Sequence, residues 1–170
     1  MILEVNKLGT KNEILHRPAK LVTKEELESG LYNGFINSMI DTAESLKDSP
    51  HFCVGLAANQ VWSDPDDSPP AIFLVRFEVE DIDWMAFINP SIITTGRTFK
   101  EYEGCLSIPG LSHKKRRHKN VEIMWTDKEQ NLYQQKFSGF MATVIQHEFD
   151  HLCGKTIVKK RPTRRKKMKK

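Results

Sequence analysis

Near the end of the chain stand two histidines four residues apart, in His147-Glu148-Phe149-Asp150-His151. This pair constrains the fold more than any other feature of the sequence. On a helix, side chains four apart lie one above the other, so both imidazoles can reach one metal ion. Glu148, next to His147, is placed to handle the proton of a water that such a metal activates. His147 and His151 also share the helical face of Phe140 and Val144. That face is expected to be buried, where unpaired polar groups are costly and metal ligation satisfies them. The alternative is a pair of surface histidines beside an exposed glutamate. A catalytic site of this kind needs a third protein ligand and an open position. Only 19 residues follow His151, and they hold no His, Asp or Glu. Cys153, two positions further along the helix, points away from the pair. The third ligand therefore comes from upstream.

The rest of the chain supplies one ordinary domain. Its 170 residues are 39% hydrophobic and 28% charged, the balance of a globular protein that can bury a core. The formal charge of +4 conceals an asymmetry: residues 159–170 hold nine basic and no acidic residues, which leaves a net −5 on residues 1–158. No apolar run approaches the ~20 residues of a membrane helix, and no secretory signal is visible. Three cysteines, Cys53, Cys105 and Cys153, argue against a disulfide framework and for a reducing compartment. Thr23-Lys-Glu-Glu26 has the form of a capping box. Beyond it, Leu31, Tyr32, Phe35, Ile36, Met39, Ile40, Ala43 and Leu46 fall three and four apart. The spacing predicts one long amphipathic helix that ends near Ser49-Pro50. Short apolar or alternating runs at Ala71–Val75, Trp84–Ile88, Val121–Trp125 and Tyr133–Phe137 read as strands, mostly hairpin-linked. Ser138 and Gly154 are candidate caps for the helix that carries the histidines. The expected fold is α+β: mostly antiparallel strands packed around that C-terminal helix, with the long amphipathic helix before them. Residues 1–158 form the catalytic domain, and residues 159–170 a basic tail with nothing to pack.

Three short motifs stand in order: Gly55-Leu-Ala-Ala-Asn-Gln60, Glu103-Gly-Cys-Leu-Ser107 and Gln146-His-Glu-Phe-Asp-His151. Asn12-Glu-Ile-Leu-His-Arg-Pro-Ala stands near the start. Over about residues 1 to 158 the chain resembles the peptide deformylases, metal-dependent hydrolases that remove the formyl group from N-formylmethionyl nascent chains and release formate. The resemblance implies that Cys105, as thiolate, His147 and His151 ligate one divalent metal per chain. Fe2+ is the first expectation, with Zn2+ or Ni2+ as alternatives. It implies that Glu148 is the general base, and that the Gln60 side-chain amide and the Leu106 N–H receive the developing oxyanion. Such roles suit formamide hydrolysis, which needs an activated water, donors where negative charge develops and a proton for the leaving amine. Glu103, Arg117 and Asp150 are expected behind the ligands. Val54, Gly55, Phe140 and Val144 are candidates for the pocket of the methionine side chain, with core packing as the alternative reading for Val54, Phe140 and Val144.

The chain departs from the family's pattern in three places. Cys53 stands where the first motif usually has a glycine. Ser112-His-Lys-Lys-Arg-Arg-His118 replaces a largely apolar stretch, although Arg117 keeps its place. The third motif is followed by the basic tail instead of a long helix. For that tail, a solvated run and an electrostatic contact with ribosomal RNA are the two readings, ahead of a nuclear address. The implied setting is the cytoplasm, or a host's cytoplasm for a phage-borne gene, with a monomer as default and no membrane partner. Two other functions compete: an inactive ribosome-associated homologue, and a different H-E-x-x-H amidase or peptidase.

Overall fold

The computed structural model describes residues 1–9, 13–46, 53–79 and 82–158. The basic segment 159–170, and with it the division of the chain at residue 158, lies outside the described residues. So do Asn12 of the opening motif and the Ser49-Pro50 end of the expected helix.

Where the spacing predicts one long N-terminal helix, the structure has two. Helix α1 is only Lys24–Glu28, opened by the capping box: the Glu26 N–H donates to Thr23 Oγ1 at 3.2 Å and the Thr23 N–H to Glu26 Oε2 at 2.8 Å. The helix stops because Gly30 takes φ +67°, the left-handed conformation that ends a helix and that glycine adopts without steric cost. Helix α2, Asn33–Ser45, then buries Ile36, Met39, Thr42 and Ala43. Leu31 falls in the turn between them and is exposed, so the apolar stripe ran across a break that it could not reveal.

Five strands form one antiparallel sheet in chain order: β1 Gly55–Ala57, β2 Ile72–Val79, β3 Ile82–Glu103, β4 His113–Thr126 and β5 Leu132–Ser138. On β2, Phe73 and Val75 pack with Phe87, Ile123 and Trp125. Ile72 and Leu74 pack on the opposite face with Ile36, Met39 and Leu56. A strand covered on both faces must be apolar at every position, which is why Ala71–Val75 shows no alternation.

The expected run Trp84–Ile88 does not end there: Asn89-Pro90, which follows it, lies inside β3. The register shifts between Ile88 and Ser91, and this bulge takes up the proline that cannot donate to a ladder. Asn89, at φ +50°, is held by two bonds to Val22: its Oδ1 accepts from the Val22 N–H at 2.9 Å and its Nδ2 donates to the Val22 carbonyl at 2.7 Å. β3 and β4 therefore pair as far as Glu103 opposite His113, well past the predicted strands.

Helix α3, Gly139–Leu152, follows β5 directly. Gln146 ties it to β4: its Oε1 accepts from the His118 N–H at 3.0 Å and its Nε2 donates to the His118 carbonyl at 2.9 Å. Ser138 stands at the N-cap but its side chain makes no capping bond, while Gly154, at φ +68°, turns the chain beyond the C-terminus. Ala142, Ile145 and Leu152 bury in the core against the sheet. Phe140 corrects the expectation that its face is buried throughout: it is 60% exposed, because the first turn of α3 overhangs a cleft. Among the described residues no helix is long and apolar enough to cross a membrane.

Candidate active site

Cys105 lies in the connection between β3 and β4, two residues after Glu103, while His147, Glu148 and His151 lie on α3. The long β3–β4 hairpin brings the two together. The ligand atoms of Cys105, His147 and His151 lie within 4.8 Å of one another, and the Cys105 sulfur is 3.2 Å from His151 Nε2. Atoms each bound about 2.0–2.3 Å from one ion span roughly 4.6 Å, so the cluster has the size of a single coordination shell.

The surroundings suit a cation. The Glu103 carboxylate accepts from His147 Nδ1 at 2.9 Å, which orients the ring and leaves Nε2 for the cluster. Arg117 donates to both Glu103 oxygens, at 2.6 and 2.8 Å, and to Asp150 Oδ2 at 2.7 Å. Burial pushes the Glu103 carboxyl up, but the hydrogen bonds and charge of Arg117, with His147, hold it at about 2. Burial likewise pushes His147 down, and the Cys105 sulfur and Glu103 more than offset it, to about 10. Burial, with His147 and Arg117, keeps His151 well below its ordinary value, so a nitrogen lone pair is available. A thiol and two imidazoles of this kind fit a divalent transition metal.

Glu148 is buried beside the cluster. Burial raises its carboxyl to about 7, against the lowering by His147, and its Oε2 has no hydrogen-bond partner among the described residues. Gly55 makes room for it: a Cβ there would come 2.8 Å from both Cγ and Cδ of Glu148. Gln60, in a 3-10 turn after β1, is buried and oriented. Its Oε1 accepts from the Ala57 N–H at 2.9 Å, so its Nε2 turns toward Cys105 Sγ, 3.6 Å away, and Ser107 Oγ, 3.4 Å away. The N-terminal segment pins both loops. The Asn6 N–H donates to the Gln60 carbonyl at 2.6 Å, the Leu8 N–H to the Ser107 carbonyl at 2.8 Å and Lys7 Nζ to the Leu106 carbonyl at 2.9 Å.

Gln60, Cys105, His147 and Glu148 open on one cleft of about 410 Å³, whereas His151 is buried and is not part of its lining. Val54, Gly55, Leu106, Phe140 and Val144 line it, beside Gln60, Glu103 and Cys105. Arg117 and Asp150 lie behind its wall. Cys53, singled out as a departure from the family's pattern, lines the cleft as well, and sequence reading did not assign Glu101, Tyr102, Gly104 or Thr143 to it. Period-2 spacing from Glu103 points to Glu101 and one helical turn back from His147 points to Thr143, once the elements that carry them are known. Cys53 is buried, and burial with the nearby Glu148 charge pushes its thiol up to about 12.

Fold and cluster together define a class: an α+β metalloenzyme with a carboxylate beside a Cys–His–His centre. The sequence matches the polypeptide deformylase family over residues 2–167. A peptide deformylase of Dictyoglomus turgidum is 35% identical over 154 residues, 91% of this chain and 89% of that protein. The peptide deformylase structure from Thermotoga maritima superposes with a TM-score of 0.76 at 30% identity, over 92% of this chain and 95% of that one. A class I type b peptide deformylase from Acinetobacter baumannii, crystallised with Met-Ala-Ser bound, reaches 0.79 at 25% identity, over 92% and 96%. The chain belongs to the polypeptide deformylase family, metal-dependent hydrolases that remove the N-terminal formyl group from newly made polypeptides.

Proposed function

We propose that Cys105, His147 and His151 hold one divalent ion, Fe2+ in preference to Zn2+ or Ni2+, and that Glu148, Gln60 and Leu106 hydrolyse N-formylmethionyl peptides beside it. The observation that carries this reading is Glu148, a buried carboxylate with an unpartnered oxygen against a Cys–His–His cluster. When bound, the metal supplies Lewis acidity and a water of lowered pKa. Glu148 takes the proton of the attacking water; a carboxyl near 7 exchanges protons readily at neutral pH. Negative charge develops on the formyl oxygen as the water oxygen bonds to the formyl carbon. Gln60 Nε2 and the Leu106 N–H are the donors to that oxyanion, and Gln60 keeps its aim because Ala57 holds the other end of its amide. Glu148 then returns the proton to the leaving nitrogen, and the C–N bond breaks to give formate and a free amino terminus. Arg117 and Asp150 position Glu103, which in turn positions His147. Val54, Gly55, Phe140 and Val144 border the substrate side chain, and Met-Ala-Ser bound to the Acinetobacter relative supports a short peptide in this cleft.

The chain works as a monomer in the cytoplasm in this reading. Residues 1–158 are the catalytic domain, and residues 159–170, nine basic in twelve, are a separate appendage that contacts ribosomal RNA.

The test is formate release from formyl-Met-Ala-Ser by anaerobically purified, iron-loaded protein. Turnover by the wild type and a fall of at least 100-fold in Glu148→Ala are expected. No formate from the wild type would overturn the reading.

A further inference from the structure

Both groups assigned to the oxyanion sit on connecting segments, and one short stretch of chain ties those segments together. Gln60 stands in the turn Ala58–Gln60, and Leu106 in the connection between β3 and β4. Three carbonyls at and just beyond that turn, those of Asn59, Gln60 and Trp62, find donors on a single residue, Asn6. Its N–H donates to the Gln60 carbonyl at 2.6 Å, and its Nδ2 to the carbonyls of Asn59 at 3.1 Å and Trp62 at 2.8 Å. Two residues on, the Leu8 N–H donates to the Ser107 carbonyl at 2.8 Å, and Lys7 Nζ to the Leu106 carbonyl at 2.9 Å. Two residues of chain span at most about 7 Å, so this tether is short and has no slack. The two segments also meet directly: Gln60 and Ser107 are both buried, with Gln60 Nε2 3.4 Å from Ser107 Oγ.

We propose that Asn6 is a positioning residue: by holding the Gln60 turn, it sets the separation of the two oxyanion donors. The inference rests on Gln60 and Leu106 receiving the charge that develops on the formyl oxygen. Two donors about 2.7–3.1 Å from one oxygen lie at most about 6 Å from each other. A misplacement of about 1 Å in such a group costs on the order of 100-fold in rate. The Ala57 N–H aims the far end of the Gln60 side chain, and Asn6 fixes the backbone from which that side chain grows. Asn6 itself is not part of the cleft lining, so it acts through Gln60 and not on substrate. Asn59 Nδ2 donates to the Arg17 carbonyl at 2.7 Å, a separate mooring that keeps the turn in the fold without the Asn6 side chain. What Asn6 adds is placement, which matters more to the transition state than to the bound substrate.

The test is a double-mutant cycle with formyl-Met-Ala-Ser on iron-loaded wild type, Asn6→Ala, Gln60→Ala and the double variant, with rates taken per bound iron. Asn6→Ala should lower kcat at least tenfold and leave KM within threefold of wild type. In the Gln60→Ala background the same substitution should lower kcat less than threefold, because the group it places is gone. A loss under threefold in the wild-type background, or an equal loss in both backgrounds, overturns the proposal. So does a Gln60→Ala protein as active as wild type. Amide hydrogen exchange gives a second readout that needs no turnover. The Ala57 N–H, bonded to Gln60 Oε1, should exchange at least tenfold faster in Asn6→Ala, while Ile123 on β4 stays within threefold. An Ala57 rate that rises no more than the Ile123 rate also overturns the proposal. A wild type that releases no formate overturns the deformylase reading instead, and the ratio of the two exchange rates then decides whether Asn6 places Gln60.

Discussion

Gly55 decides where Glu148 can sit. The glycine belongs to a strand paired with β2, so its backbone cannot retreat, and a Cβ would press on the Glu148 carboxyl carbon. Gly55→Ala should therefore lower kcat/KM at least 100-fold while the unfolding midpoint stays within a few degrees of wild type. Retained activity in a folded Gly55→Ala protein would show that Glu148 has another place to go. Arg117 acts on stability as well as on the site. Removing one partner of a buried ion pair costs about 3–5 kcal/mol, so Arg117→Ala should shift urea unfolding at pH 7 by that amount. The sign with pH follows from Glu103, whose carboxyl is held at about 2 against an ordinary 4.5. Its contribution is complete above the unfolded value and is lost as pH falls through the folded one. The gap between wild type and Arg117→Ala should accordingly narrow between about pH 5 and pH 2, and a gap independent of pH would contradict the pairing. The sequence marked Gly55 and Arg117 as positions of interest, but the reason for either was a contact with a residue distant in the chain.

At the scale of elements, the site depends on how α3 is moored. Gln146 exchanges two hydrogen bonds with the backbone of His118 and donates a third to the Ala142 carbonyl at 2.9 Å. Gln146→Ala leaves backbone groups of β4 without partners, at about 1–3 kcal/mol. Chemical denaturation should show that loss, and a change under 0.5 kcal/mol would mean that water replaces the side chain at no penalty. Element identity was partly legible beforehand. The capping box at Thr23, the apolar run of β2 and the helix carrying His147 are local patterns, set by neighbours in the chain. The break at Gly30 and the passage of β3 through Asn89-Pro90 were not legible. A glycine inside a 3.6-residue stripe ends a helix only when the turn packs better than continuation, and an Asn-Pro pair is tolerated in a strand when a bulge and the Val22 backbone receive it.

For the whole molecule, charge and chemistry are separated. A net −5 lies on residues 1–158 and nine basic residues lie beyond, so removal of residues 159–170 should leave formyl-Met-Ala-Ser turnover within twofold. Sedimentation with ribosomes should weaken on that deletion and fall steeply with salt for the intact chain. Ribosome binding that is equal for both forms across a salt series would count against an electrostatic appendage. By itself the sequence determined the donor atoms: a thiol, two imidazoles one helical turn apart, an adjacent carboxylate and a side-chain amide. Spacing within a helix and the chemistry of side chains are local properties, so they survive in a string of letters. Only the tertiary structure decided that Cys105 meets His147 and His151, that Gly55 yields its space to Glu148, and that Glu101 and Thr143 line the same cleft. Each of those meetings joins residues from different elements, and the pairing of β3 with β4 and the packing of α3 against the sheet are what set the distances.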